Sequence, residues 1–138
     1  MVFFMYQAIT KFPRLRVLAV QDHMPSTELL ESMLLDFSCD YEIVDDGRHA
    51  INLHILNPFD VIVLDILAPG NNGPELLKQL RNIPDAKSLA HVIALVTHPS
   101  QKNTIKWLNQ GVSHYIEKPL KIGDLERAFL HLVPGKAQ

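Results

Sequence analysis

Three short apolar runs constrain this chain more than any other feature. They span residues 15–20, where only Arg16 is polar, residues 61–64 and residues 92–96. Each is strand length rather than helix length, and each stops abruptly at polar or turn-forming residues, which is the pattern of strands buried on both faces. Helix-period stripes separate them. Leu29, Leu30, Met33, Leu34 and Phe37 form the first, with Ser26 placed to cap it, and Ala50, Ile51 and Ile55 mark a second that stops before Pro58. Leu76, Leu77, Leu80 and Ile83 follow a Pro74 suited to a first helical turn. Ile105 and Leu108 come next, between a capping Ser100 and a left-handed Gly111, and Ile122, Leu125, Ala128, Phe129 and Leu132 complete the set.

Two more polar strands, around residues 41–44 and 113–116, bring the pattern to five strands alternating with five helices. Parallel strands need crossover helices, so the alternation predicts a doubly wound α/β fold with a parallel sheet covered on both faces. The three apolar strands want central positions and the two polar ones tolerate an edge, which gives the strand order 2-1-3-4-5. The ligand crevice of such a sheet lies at its switch point, between strands one and three. We place an extension over residues 1–13, the domain over 14–133 and a tail over 134–138. The apolar opening residues, 1–6, are too short for a membrane span and lack the charged start of a signal peptide; we expect them to pack on the domain or on a partner.

Composition narrows the function. Thirteen Lys and Arg against fifteen Asp and Glu leave a net charge of -2, so direct nucleic-acid binding is not expected. The single cysteine, Cys39, excludes an intrachain disulfide, no Cys/His spacing suggests zinc, and a reducing, cytoplasmic setting is the expectation. His49, His54, His91, His114 and His131 are scattered, with structural or solvated roles expected, and neither spacing nor a third soft ligand supports a transition-metal site at His23 and His98. No segment reads as transmembrane.

The strand ends carry the chemistry. Asp22 follows the first strand, Asp65 ends the third, Thr97 follows the fourth and Lys118-Pro119 follows the fifth, all at one rim of the sheet. Two carboxylates with loop oxygens suit a hard cation such as Mg²⁺. A lysine and a hydroxyl suit the equatorial oxygens of a phosphoryl group, for which Asp65 is an in-line nucleophile.

This ordered set resembles the receiver domain of bacterial two-component response regulators, over roughly residues 14–133. The resemblance implies a flavodoxin-like receiver fold in which Asp65 accepts a phosphoryl group from a histidine kinase or phosphotransfer protein. It implies Mg²⁺ on Asp22, Asp65 and the main-chain carbonyl of Leu67, with Lys118 on the phosphoryl oxygens. Thr97 and Tyr115 become the switch that reshapes the face of the fourth helix, fifth strand and fifth helix, and homodimers through that face occur in the family. A cis Lys118-Pro119 bond is also implied. Output is expected through a downstream protein target, with no metabolite turned over.

Departures from the family pattern qualify this. Gln21 stands where an acidic pair usually begins, so weaker Mg²⁺ binding is expected, and Ala68 and Asn72 replace commoner loop residues. His98 is bulkier than the usual neighbour of Thr97; with Leu67 and Pro99 it leads us to expect a long-lived phosphoryl group. A competing reading is a pseudo-receiver, a docking module that works without phosphorylation. A flavin or nucleotide carrier of similar topology lacks its phosphate loop here.

Overall fold

Five parallel strands, each reached from the last through a helix, form the sheet of this computed structural model. It describes residues 10–21, 24–66, 73–85, 89–97 and 100–138, with the backbone alone at residues 24–26 and 101. The elements are β1 (Arg16–Val20), α1 (Met24–Asp36), β2 (Asp40–Val44), α2 (Gly47–Leu56), β3 (Val61–Asp65), α3 (Gly73–Arg81), β4 (His91–Val96), α4 (Gln101–Asn109), β5 (His114–Glu117) and α5 (Ile122–Leu132), followed by a 3-10 turn at Pro134–Lys136. Strand order is β2-β1-β3-β4-β5, all parallel, as the apolar pattern requires.

The period of two along each strand divides the interior into two layers. Val17, Ala19, Val61, Val63, Ile93 and Leu95 face α1 and α5, while Leu18, Val20, Ile62, Leu64, Val92 and Ala94 face the layer that includes α2, α3 and α4. Phe12, Phe37 and Phe129 meet pairwise with ring centroids 5.4 Å apart, closing the first layer at its edge. Residues 10–13, which the sequence placed in an extension, therefore pack on the domain. Phe12 is fully buried and its N–H donates to the Phe37 carbonyl at 2.7 Å, while the Thr10 N–H donates to Glu126 on α5.

Several local expectations change. Helix α1 starts at Met24, so Ser26 lies inside the helix instead of capping it; Pro25 is tolerated there because a first-turn N–H has no partner to lose. Leu29 is exposed beside the buried stripe of Leu30, Met33, Leu34 and Phe37. In α2 the buried pair is Ala50 and His54, which leaves Ile55 outward. In α4 it is Trp107 that is buried, and both Ile105 and Leu108 are exposed. Ile105 sits about 200° around the helix from Trp107, so one helix cannot bury both against a single layer. Ile122 at the start of α5 is likewise exposed.

Other signals hold. Ser100 caps α4 through Asn103 at 3.1 Å, and Asp46, not singled out as a cap in the sequence, caps α2 by accepting from the Arg48 N–H at 2.8 Å. Gly111 has φ +105, and a Cβ there would meet the Arg81 guanidinium, which donates to the carbonyls of Ala90 and Gly111. His54 accepts the Phe59 N–H on Nδ1 at 3.0 Å and stacks on the Phe59 ring, tying the end of α2 to the start of β3.

Two outcomes test this packing. Phe12→Ala lowers unfolding stability by about 3–5 kcal/mol in a denaturant titration, the cost of deleting a buried aromatic ring; a loss below about 1 kcal/mol would mean residues 10–13 are dispensable. Burial pushes the Cys39 thiol from an ordinary 9.0 up to about 11, and its Sγ donates to the Leu34 carbonyl. A folded value above the unfolded one means the thiol's contribution is complete below pH 9.0 and lost as pH rises through about 11. Wild type therefore loses more stability across that window than Cys39→Ala.

Candidate functional site

The C-terminal ends of β1, β3, β4 and β5 bring four polar groups of the described residues to one rim. Asp65 is the last residue of β3, a strand buried from end to end, and is itself only 4% exposed. Its register partner on β4 is Leu95, which places Thr97 two residues farther along the neighbouring strand's path. Val96 pairs with Glu117 on β5, so Lys118 enters the rim beside Thr97. On the other side Val20 pairs with Leu64, which sets Gln21 one step on, next to Asp65.

The ion pair at the centre is direct. Lys118 Nζ binds Asp65 Oδ2, with the lysine side chain largely covered. A carboxylate buried this deeply needs such a partner, since an isolated charge in the interior is strongly disfavoured. The Lys118 N–H donates to the Val96 carbonyl at 2.8 Å and the Lys118-Pro119 peptide is cis, as the resemblance implied.

Gln21 is 3% exposed, and neither its side-chain nitrogen nor its oxygen has a hydrogen-bond partner among the described residues. Its backbone is held, with the N–H donating to the Val44 carbonyl at 2.8 Å. Buried amides are normally satisfied, so an orphaned one beside a carboxylate marks a place for a polar ligand. Asp22, Leu67 and His98, with His23, Ala68, Asn72 and Pro99, lie outside the described residues. Among the described residues no group of three His, Cys, Asp or Glu could hold a metal ion.

Thr97 and Tyr115 are both exposed, Tyr115 at 41%, so the two expected switch residues stand outward here. Tyr115 stacks on His114 with ring centroids 6.4 Å apart. The sequence reading missed Gly73. A Cβ on it would lie 2.1 Å from the Ile66 carbonyl oxygen, so the start of α3 closes directly onto the residue after Asp65. Only a glycine after a turn-rich loop hinted at this, and a close approach of two backbones leaves no periodic trace.

Comparison with known proteins agrees with this geometry. Residues 17–130 match the family model of the response regulator receiver domain. The two-component response regulator ARR12 of Arabidopsis thaliana is 30% identical over 135 residues, covering 94% of this chain and 22% of that protein. The receiver domain of sensor histidine kinase PA1611 from Pseudomonas aeruginosa PAO1, solved with a magnesium ion coordinated in its active site cleft, superposes with a TM-score of 0.78. The identity is 23%, over 88% of this chain and 98% of that one. The receiver domain of Saccharomyces cerevisiae Ssk1, solved with the histidine phosphotransfer protein Ypd1, gives a TM-score of 0.81 at 24% identity, covering 92% of this chain and 94% of that one. At these identities the structural likeness speaks for the fold. The chain spans 13% to 48% of the length of the curated relatives it matches. With Gln21 just past β1, Asp65 ending β3, Thr97 just past β4 and Lys118 closing onto the carboxylate, the chain belongs to the response regulator receiver domain family of two-component signalling.

Proposed function

We propose that this chain is a working phosphoacceptor: Asp65 takes a phosphoryl group from a phosphohistidine of a histidine kinase or phosphotransfer protein, and the phosphorylated form signals to a protein partner. The observation that carries the reading is the buried Asp65 carboxylate with Lys118 on one oxygen only. Oδ1 attacks phosphorus in line, the bond to the donor imidazole nitrogen breaks, and the electron pair leaves with that imidazole. Lys118 then moves from Oδ2 to a phosphoryl oxygen, so its positive charge follows the charge being transferred. Thr97 turns inward to donate its hydroxyl to another oxygen, and Tyr115 fills the space behind it.

The donor set fits a hard divalent cation: a carboxylate at Asp65, an orphaned amide oxygen at Gln21, and the expected Asp22 carboxylate and Leu67 carbonyl. When bound, Mg²⁺ neutralises negative charge on the transferring oxygens. Gln21 contributes an oxygen without a charge, directly or by orienting a water, which weakens attraction for the cation relative to an acidic pair. The switch is a population shift, in which phosphorylation favours the inward Thr97 and Tyr115 state by binding it better. Its readout is the α4–β5–α5 face, toward a target protein or a second copy of the chain, in a cytoplasmic setting.

Gln21 also supports a second reading, in which the domain docks partners without phosphorylation. Incubation with Mg²⁺ and a small phosphodonor separates the two. The phosphoacceptor reading expects an acid-stable, hydroxylamine-labile adduct on wild type, none on Asp65→Asn, and decay over minutes or longer once donor is removed. No adduct, or equal labelling of Asp65→Asn, would establish the docking module. Gln21→Asp should tighten Mg²⁺ in a calorimetric titration by roughly tenfold, equivalent to about 1.4 kcal/mol; unchanged affinity would show that Gln21 takes no part in the cation site.

A further inference from the structure

Between α1 and α5 lies a cleft that residues 10–12 fill only at its lower end. Both helices follow parallel strands and pack on the same layer, so they run side by side in the same direction. Phe37, directly after α1, and Phe129 on α5 mark one level, with ring centroids 5.4 Å apart and Phe12 against both. Leu29 precedes Phe37 by eight residues, about 12 Å up its helix, and Ile122 precedes Phe129 by seven, about 10.5 Å up its own. The two therefore stand at the same height, 43% and 64% exposed.

The helical period turns both residues toward the cleft. On α5, Asp124, Arg127 and His131 line the side along β5, and the row of Ile122, Glu126 and Leu130 is turned away from them by about 100° or more. On α1, Glu31 accepts the Tyr41 hydroxyl at 3.0 Å and so marks the β2 side, and Leu29 lies about 200° around from it. The chain enters the cleft from below. Phe12 sits at the level of Phe37 and Phe129, and two residues earlier the Thr10 N–H donates to Glu126, nearer the start of α5. Followed backward, the described chain climbs α5 toward Ile122, the next residue of that row.

We propose that residues 1–9 of this chain occupy the upper end of the cleft, packing Phe3, Phe4 and Tyr6 over Leu29 and Ile122. The segment reads Met1-Val2-Phe3-Phe4-Met5-Tyr6-Gln7-Ala8-Ile9, without a charged side chain. Laying it on two exposed aliphatic side chains removes apolar area of both from water. Reach sets no limit, since Ile122 is about 6 Å beyond Glu126 along the helix and nine extended residues span about 30 Å. The tether at Thr10 holds the segment at a roughly millimolar effective concentration, which favours it over a partner in free solution. The other exposed apolar residues near α5, Ile105, Leu108 and Tyr115 of α4 and β5, lie across the charged row of Asp124, Arg127 and His131. With the cleft filled, the α1–α5 surface opens to a partner only when the segment is displaced. This packing is independent of phosphoryl transfer at Asp65.

The test is a nuclear Overhauser measurement on the whole isotope-labelled chain, reading contacts from the rings of Phe3, Phe4 and Tyr6 to the methyl groups of Leu29 and Ile122. The expected result is contact with both residues, unchanged on dilution, and amide exchange at residues 2–9 about tenfold slower than in Ile122→Lys. Leu29→Lys, on the facing wall, should release the segment equally. Leu130→Lys, one turn past Glu126 toward the filled end, should leave it in place. All three positions are exposed, and melting curves check that each variant folds. No ring contact with Leu29 or Ile122, contacts with Ile105 or Tyr115 instead, or equal release by Leu130→Lys overturns the proposal. So does a mixture of labelled and unlabelled chains in which the contacts prove intermolecular, because the segment would then occupy a second copy.

Discussion

Burying a carboxylate at the end of the most apolar strand creates the constraint around which the rest of the rim is arranged. β3 is covered on both faces, so Asp65 cannot reach water along the strand and depends on the neighbouring strand ends for compensation. Lys118 provides it from two strands away, which requires β4 and β5 to hold their register, and the bond from the Lys118 N–H to the Val96 carbonyl holds it at the point of need. Removing one partner of such a pair strands the other, at about 3–5 kcal/mol in buried examples. The same burial that makes the pair costly to break keeps the carboxylate dry and fixed in orientation.

The site's flanks obey a similar economy of space. Gly73 lets α3 begin against the Ile66 carbonyl. Gln21, one step beyond β1, carries a buried amide that the described residues leave unsatisfied. A buried neutral amide and a buried, lysine-paired carboxylate thus end neighbouring central strands. The opposite edge of the sheet carries a different chemistry. β5 is short and polar, bordered by α5 charges and histidines, and no strand among the described residues pairs with its outer side.

Burial assignments show where reading from sequence fell short. Residues 92–96 could be recognised as a strand because an apolar run bounded by turn residues has few other solutions. Trp107 could not be chosen over Ile105 and Leu108, because periodicity in a nine-residue helix gives a stripe without saying which ångström of space lies beneath it. Phe12 was assigned to an extension because it precedes the first strand, yet it completes an aromatic cluster with Phe37 and Phe129, residues that meet only after folding. Ser26 was misplaced because Pro25 reads equally well as a loop residue or a first helical turn.

By itself the sequence determined the alternation of strands and helices, the central position of the apolar strands and hence the order 2-1-3-4-5, and the meeting of Asp65, Thr97 and Lys118 at one rim. Those follow from the strand period, the need for crossovers between parallel strands, and the rule that strand ends of a doubly wound sheet face one crevice. Tertiary structure decided that Lys118 holds Oδ2 of Asp65, that Gln21 is buried with its amide unpaired, that Thr97 and Tyr115 stand outward, and that Gly73 meets a backbone carbonyl. Each of these is a contact between residues distant in the chain, and contact depends on distances that only packing sets.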